Sequence, residues 1–387
     1  MTSEEIFSTE QEFQLANYSK LDLAIDRGEG SWVWTSDSDK YLDLYGGHAV
    51  CAVGHSHPAV VKAISEQAQR LMFYSNVVYS DVRAKAAKKL SSVAPDPLSK
   101  AFFCNSGTEA NENAMRIARL ATGRSKIVSF ARGFHGRTAD SISATFLGKY
   151  RTLGEPNVPG HVEAEFGDIE SIVSMIDAKT AGVLIEPIQS MAGVREASPE
   201  FFQRLRARCD EVGAALIFDE VQTGVGRTGE WFFAGSEPAG GIVPDVISLA
   251  KSLGSGVPVG ACLVSGELAS AIKENDLGTT FGGGMIAMAA VNSTLEIIER
   301  DGLLANAKKI EGWVRDACSQ NDAVKAVHGK GCLLGIEFEA GARPFYKELL
   351  DAKIITGMSS DPNVLRLLPP LNVTEREIGL FAEVLNG

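Results

Sequence analysis

The sequence predicts an α/β protein: a mostly parallel sheet covered by helices in a large domain, with a small α+β domain attached. Three observations carry this expectation. Between about residues 100 and 265, short apolar runs alternate with stretches of helical period, as in a parallel sheet buried on both faces. Past about 285 that alternation stops and two helical stretches follow one another. A chain of 387 residues also exceeds what one simple core holds. The expected division is an N-terminal segment, 1–60, contributing to the small domain, a large domain over 61–284, and a C-terminal small domain over 285–387.

The elements follow in order. Trp32-Val33-Trp34 and Tyr41-Leu42-Asp43-Leu44 flank a polar turn and read as strands. His57-Pro58 opens a helix running to Leu71, with proline at a helical position whose N–H has no intrahelical partner. Strands are expected at 101–104, 126–130, 181–185, 214–218, 246–250 and 260–264, with helices at 108–121, 168–177, 198–212 and 266–274. Helices over 287–300 and 303–321, strands within 324–338 and a closing helix over 374–386 build the small domain.

A formal net charge of −12 argues against nucleic acid and against an anionic membrane surface, since both call for a concentrated basic face. The six cysteines, Cys51, Cys104, Cys209, Cys262, Cys318 and Cys332, include no C-x-x-C pair and read as small buried hydrophobes. The polar, acidic start Thr2-Ser3-Glu4-Glu5 has no signal-peptide core, and no apolar run approaches a membrane span, so a cytoplasmic protein is expected. His48, His55, His57 and His135 lack the spacing of zinc ligands, and no metal is expected.

Chemistry concentrates at two strand ends. Leu216-Ile217-Phe218-Asp219 delivers a carboxylate, and Ser248-Leu249-Ala250-Lys251 delivers an amine. In an open α/β sheet that rim is where ligands bind. An amine that condenses with an aldehyde, beside a carboxylate that keeps a pyridine nitrogen protonated, suits pyridoxal phosphate. Asn105-Ser106-Gly107-Thr108-Glu109 follows a strand and opens a helix, offering free amides and a favourable dipole to a phosphate. The ordinary alternative is a plain N-cap. In Phe130-Ala131-Arg132-Gly133-Phe134-His135-Gly136-Arg137-Thr138, Phe134 could stack on a ring and Arg137 could clamp a carboxylate with its planar fork. His135 is equally well a satisfied loop histidine.

Together these segments resemble the class III (subgroup II) aminotransferases of the pyridoxal-phosphate fold-type I superfamily, aspartate-aminotransferase-like in fold. The acetylornithine/succinylornithine branch is the most similar. The resemblance runs from Tyr41-Leu42-Asp43 to Leu365-Arg366. It includes Val53-Gly54-His55-Ser56-His57-Pro58, Asn105 to Asn111, Phe134 to Thr138, Ile185-Glu186-Pro187-Ile188-Gln189 and Thr279-Thr280-Phe281-Gly282-Gly283. It implies Lys251 as the cofactor-linked lysine and proton shuttle, Asp219 on the ring nitrogen, and Gln222 near the ring hydroxyl. Val221 and Phe134 would pack the two ring faces, with His135 beside the cofactor. Ser106, Gly107 and Thr108 would hold the phosphate with Thr280 of a neighbouring subunit, which makes a homodimer the minimum unit.

The resemblance further implies that the ω-amine of N-acetyl- or N-succinylornithine passes to 2-oxoglutarate by a ping-pong mechanism, giving a semialdehyde and glutamate. Arg366 matches the arginine that binds the α-carboxylate of amino and keto acids and, with Arg137, would anchor 2-oxoglutarate, with Glu186 also at the substrate; a structural ion pair is the alternative for Arg366. Met191 departs from many relatives, which place there a glutamate that pairs with this arginine. His48 departs too, and either faces the distal end of the substrate or caps a loop. These departures keep other donors open: ornithine, 4-aminobutyrate or a β-amino acid. An aminomutase would keep the same cofactor residues, and a non-catalytic cofactor-binding protein would be marked by loss of Lys251 or Asp219; both are present.

Overall fold

Seven strands build the central sheet of the computed structural model, which describes residues 1–387. They are β1 (Leu98–Cys104), β2 (Lys126–Phe130), β3 (His161–Ala164), β4 (Thr180–Ile185), β5 (Ala215–Asp219), β6 (Val246–Leu249) and β7 (Gly260–Ser265), in spatial order β1-β7-β6-β5-β4-β2-β3. Strands β2 to β6 pair in parallel, while β7 runs antiparallel to both β6 and β1. Every residue of β4, β5, β6 and β7 is buried, which is why these strands read as unbroken apolar runs. The edge strand β3 is largely uncovered, so its sequence carries no such run and the sequence reading missed it.

The helix Gly107–Thr122 lies on this sheet through Ala110, Ala114, Met115, Ile117 and Ala118, small residues that let it approach closely, and ends on Gly123 at φ +67°. Its N-terminus therefore opens at the C-terminal rim of β5 and β6, beside Asp219 and Lys251. Three expected helices are shorter than the sequence suggested: Ile169–Met175, Gly266–Ser270 and Leu303–Cys318. Three more, Ser3–Phe13, Asp81–Ser92 and Arg343–Asp351, were not anticipated; each buries at most three residues.

A second sheet joins Val324–Lys330, Leu333–Phe338, Val364–Leu367 and Gly357–Met358, all antiparallel. A third joins the hairpin Trp32–Thr35 and Lys40–Asp43 to Ile25–Glu29 and, in parallel, to Ile354–Ile355. Leu44 N–H donates to Ile355 O, and Leu368 N–H donates to Leu44 O. Hydrogen bonds thus join the segment 42–44 to residues 353–368. No helix is long and apolar enough to cross a membrane.

Candidate active site

A cavity of about 1150 Å³ opens at the rim of the central sheet. Every residue singled out from the sequence lines it except Arg366 and Thr280.

Lys251 leaves β6 with φ +42°, a left-handed conformation that a side chain rarely adopts and that persists only where the surroundings enforce it. Burial pushes its amine down to about 8; the Arg366 and Arg227 charges add to that, while Asp219 and Glu186 oppose it. Glu186, at the end of β4, is pushed up to about 7 by burial, and its carboxylate accepts the Phe134 N–H at 2.7 Å. A partly neutral amine and a carboxyl that gains and loses a proton near neutrality therefore share one cavity.

Asp219 ends β5 and is held from behind. Asn111 Nδ2 donates to its Oδ2 at 2.7 Å, His135 Nδ1 lies 2.8 Å from the same oxygen, and Val221 N–H donates to Oδ1 at 3.1 Å. Asn111 is itself fixed by the His135 carbonyl at 2.8 Å and by the Ser248 hydroxyl. The carboxylate is oriented by charge-assisted bonds and keeps lone pairs for the cavity. Asn111 and Ser248 both lie in segments that the sequence singles out, but neither carries a role there. Neither signals itself in sequence, because both act through contacts made across the sheet.

At the phosphate-facing end, the first turn of the helix Gly107–Thr122 carries amides without intrahelical partners. Ser106 caps it, accepting from Glu109 N–H at 3.3 Å, so the N-cap reading of Ser106 holds. Two glycines keep the space clear. A Cβ on Gly107 would lie 3.0 Å from Val221, and one on Gly136, at φ +137°, would lie 2.2 Å from Thr108 Oγ1. The Thr108 hydroxyl meets Thr138 Oγ1 at 2.6 Å.

These residues fit pyridoxal phosphate on the molecule's own terms. A helix N-terminus awaits an anion, and Val221 and Phe134 bound the space between. Asp219 faces inward, and the buried Gln222 Oε1 has no partner within the chain.

Carboxylate-binding groups surround this space. Arg137 is exposed to the cavity and donates to the Tyr18 hydroxyl at 3.1 Å. Tyr18 arrives from the N-terminal segment, and sequence reasoning missed it. Arg366 is 2% exposed and does not line the cavity; Met191 and Tyr45 lie against it. His48 does reach the cavity, on a turn of four consecutive left-handed residues, Gly46 to Ala49. Asp43 holds that turn by accepting the N–H groups of Tyr45, Gly46 and Gly47 at 2.8–2.9 Å. Desolvation, with Lys251, Arg366 and Arg137 nearby, pushes the His48 imidazole down and keeps it neutral. Thr280 is exposed beside Thr279, whose hydroxyl accepts from Asn105 Nδ2 at 3.1 Å.

Comparison with known proteins places the chain in a family. The sequence pattern of the family described as Aminotransferase class-III matches residues 14–386. The acetylornithine aminotransferase of Methanopyrus kandleri is 40% identical over 370 residues, spanning 95% of this chain and 94% of that one. The crystal structure of acetylornithine aminotransferase from Elizabethkingia anophelis superposes with a TM-score of 0.86 at 27% identity, covering 100% and 98% of the two chains. An ornithine aminotransferase structure from Toxoplasma gondii, described as having partial occupancy of PLP at its active site, superposes with a TM-score of 0.90 at 25% identity, covering 100% and 94%. The chain belongs to the class III aminotransferases.

Proposed function

We propose that this chain moves the ω-amino group of N-acetylornithine to 2-oxoglutarate, with pyridoxal phosphate as cofactor, in two half-reactions at one site. The observation that carries the donor is the 40% identity, over 95% of the chain, to an enzyme named for acetylornithine. N-Succinylornithine shares the same free ω-amine and α-carboxylate.

When bound, the cofactor supplies an electron-withdrawing ring that stabilises negative charge at the substrate carbon. The residues do the rest. Asp219, oriented by Asn111 and His135, holds a proton on the ring nitrogen. Val221 and Phe134 fix the ring between them, and Gln222 meets its hydroxyl. The amides of Gly107 and Thr108, with Ser106, take the phosphate. Lys251 Nζ, with its lowered proton affinity, would carry a proton between the amine-bearing carbon of the substrate and the cofactor carbon that exchanges the amine, in opposite directions in the two half-reactions. Arg137 takes the donor's α-carboxylate, Arg366 takes a carboxylate of the keto acid, Glu186 balances the local charge, and His48 borders the distal part of the substrate.

A homodimer is the proposed working unit. The segment 71–79 exposes Met72, Tyr74, Val77 and Tyr79, and Phe73 packs on Phe281 at 5.1 Å between ring centroids. Such a patch, continuous with the loop bearing Thr280, suits a self-complementary interface that brings Thr280 to the phosphate of the other subunit. The proposed division of the chain, with 1–60 and 285–387 flanking the large domain 61–284, is supported by the hydrogen bonds joining Leu44 to Ile355 and Leu368. A cytoplasmic setting accords with six unpaired cysteines, five of them buried.

Adding N-acetylornithine to the cofactor-loaded protein, without keto acid, should exchange the yellow band of the aldehyde form for that of the amine form. Subsequent 2-oxoglutarate should restore it and release glutamate. No spectral change with this donor refutes the donor assignment, and undiminished turnover by Lys251→Ala refutes the catalytic assignment. One observation favours a second reading, in which another ω-amine is the donor: Arg366 has Met191, not a carboxylate, against it. Higher kcat/KM for ornithine or 4-aminobutyrate than for N-acetylornithine would establish it.

A further inference from the structure

Arg366 lies in the strand Val364–Leu367, 2% exposed, without a carboxylate in hydrogen-bonding contact. Its donors meet uncharged acceptors only. Nε donates to Met358 O at 3.0 Å, Nη1 to Ser190 Oγ at 3.2 Å, and Nη2 to the Tyr45 hydroxyl at 2.7 Å. Met191 Sδ sits 3.6 Å from Nη1. Met191 lines the cavity and Arg366 does not, so the thioether stands between the guanidinium and the substrate space. Glu186 is close enough for its charge to act on Arg366, but its carboxylate is engaged by the Phe134 amide.

Tyr45 is seated for this contact. Its N–H donates to Asp43 Oδ1 at 2.8 Å at the start of the left-handed turn, and its ring packs edge-on against His48 at 5.0 Å. The ring also lies where Gly357 leaves room: a Cβ there would fall 2.0 Å from Tyr45 Cε2. Only glycine at 357 admits this phenol.

We propose that Met191 is an uncharged cover over a carboxylate site at Arg366, swinging aside to admit the dicarboxylic acceptor while the Tyr45 hydroxyl, behind it, holds the guanidinium in register. This rests on the aminotransferase reading above. A buried guanidinium surrounded by neutral acceptors has its charge only partly compensated, so an arriving carboxylate supplies the missing counter-charge. Displacing a thioether, a weak acceptor on three rotatable bonds, breaks no ion pair. A carboxylate at position 191 would instead compete with the acceptor for Arg366. Met191 is therefore a specificity-determining residue, and Tyr45 a positioning residue that acts through Arg366.

The test is calorimetric titration of the cofactor-loaded protein with glutarate, an unreactive dicarboxylate, in wild type, Met191→Glu, Met191→Gln and Tyr45→Phe. Glutamate and glutamine at 191 differ in charge alone, so shape and folding effects cancel between them. Met191→Glu should bind glutarate about tenfold or more weakly than Met191→Gln. Tyr45→Phe should weaken binding about fivefold and raise the KM for 2-oxoglutarate by a larger factor than it lowers kcat. Equal affinities for the two 191 variants, or wild-type affinity in Tyr45→Phe, would overturn the cover. If the affinities change as expected but no glutamate forms from 2-oxoglutarate, the cover stands and the aminotransferase reading falls. If glutamate forms but the two 191 variants bind alike, the reverse holds.

Discussion

Cofactor uptake by the apoprotein should follow the titration of Lys251. Condensation with an aldehyde needs the neutral amine, and burial lowers this lysine from 10.5 to about 8. At pH 7 the neutral fraction is then about 9%, against about 0.03% for an ordinary lysine, roughly a 300-fold gain. The rate of appearance of the yellow cofactor band, measured by stopped flow, should rise with pH around a midpoint near 8 and level off above it. Asp219 and Glu186 are the charges that favour the protonated amine, and Arg366 and Arg227 disfavour it. Replacing Glu186 with Gln removes one negative charge, so the midpoint should move down by about one unit. Stability of the apoprotein supplies a second readout. Between about 8 and 10.5 the unfolded chain binds a proton here that the folded chain does not, so stability should rise with pH through that window. The increment from this one group is about 3 kcal/mol. A rate that keeps climbing to pH 10 without a plateau, or a midpoint that rises in Glu186→Gln, would refute the argument.

Three further outcomes follow from the geometry. Asp219→Asn exchanges an oriented anion for a neutral amide, and kcat should fall by about 10²–10³-fold with the protein still folded by circular dichroism. Gly136→Ala, at φ +137° with Thr108 Oγ1 at 2.2 Å from the new Cβ, should cost about 1–3 kcal/mol in thermal unfolding and weaken cofactor affinity measured by fluorescence titration. Glu220, raised to about 7 by burial and bonded to the N–H groups of Phe233 and Ala234 and to the Thr223 hydroxyl, ties the loop after β5 to the segment 233–234. Truncating it to Ala leaves those donors unpaired and should lower denaturant stability by about 3 kcal/mol.

The legible parts of this protein are those whose signal is local. Strands β4 to β7 announce themselves because both faces are covered, and Asp219 and Lys251 stand out as charges ending apolar runs. What stayed hidden is set by approach across long sequence separations. Asn111 reaches Asp219 over 108 positions, and Tyr45 reaches Arg366 over 321. Neither pairing leaves a periodic trace. The edge strand β3 and the lysine-rich helix Asp81–Ser92 bury too little to impose a pattern. The turn of Gly46 to Ala49 brings His48 to the cavity, and only the two glycines hint at that in the sequence.

The hydrogen bonds from Leu42 to Lys353, from Leu368 to Leu44 and from Leu371 to Ala52 also set an order of events at the ribosome. The hairpin and the left-handed turn bearing Tyr45 and His48 are among the first segments synthesised, yet their partners lie more than 300 residues downstream. While the central sheet is emerging, that early segment can pair only within its own hairpin, and the edge that meets Ile354–Ile355 waits uncovered. The cavity wall that carries His48 is therefore the last part of the pocket to be completed, after Asp219 and Lys251 have already been synthesised.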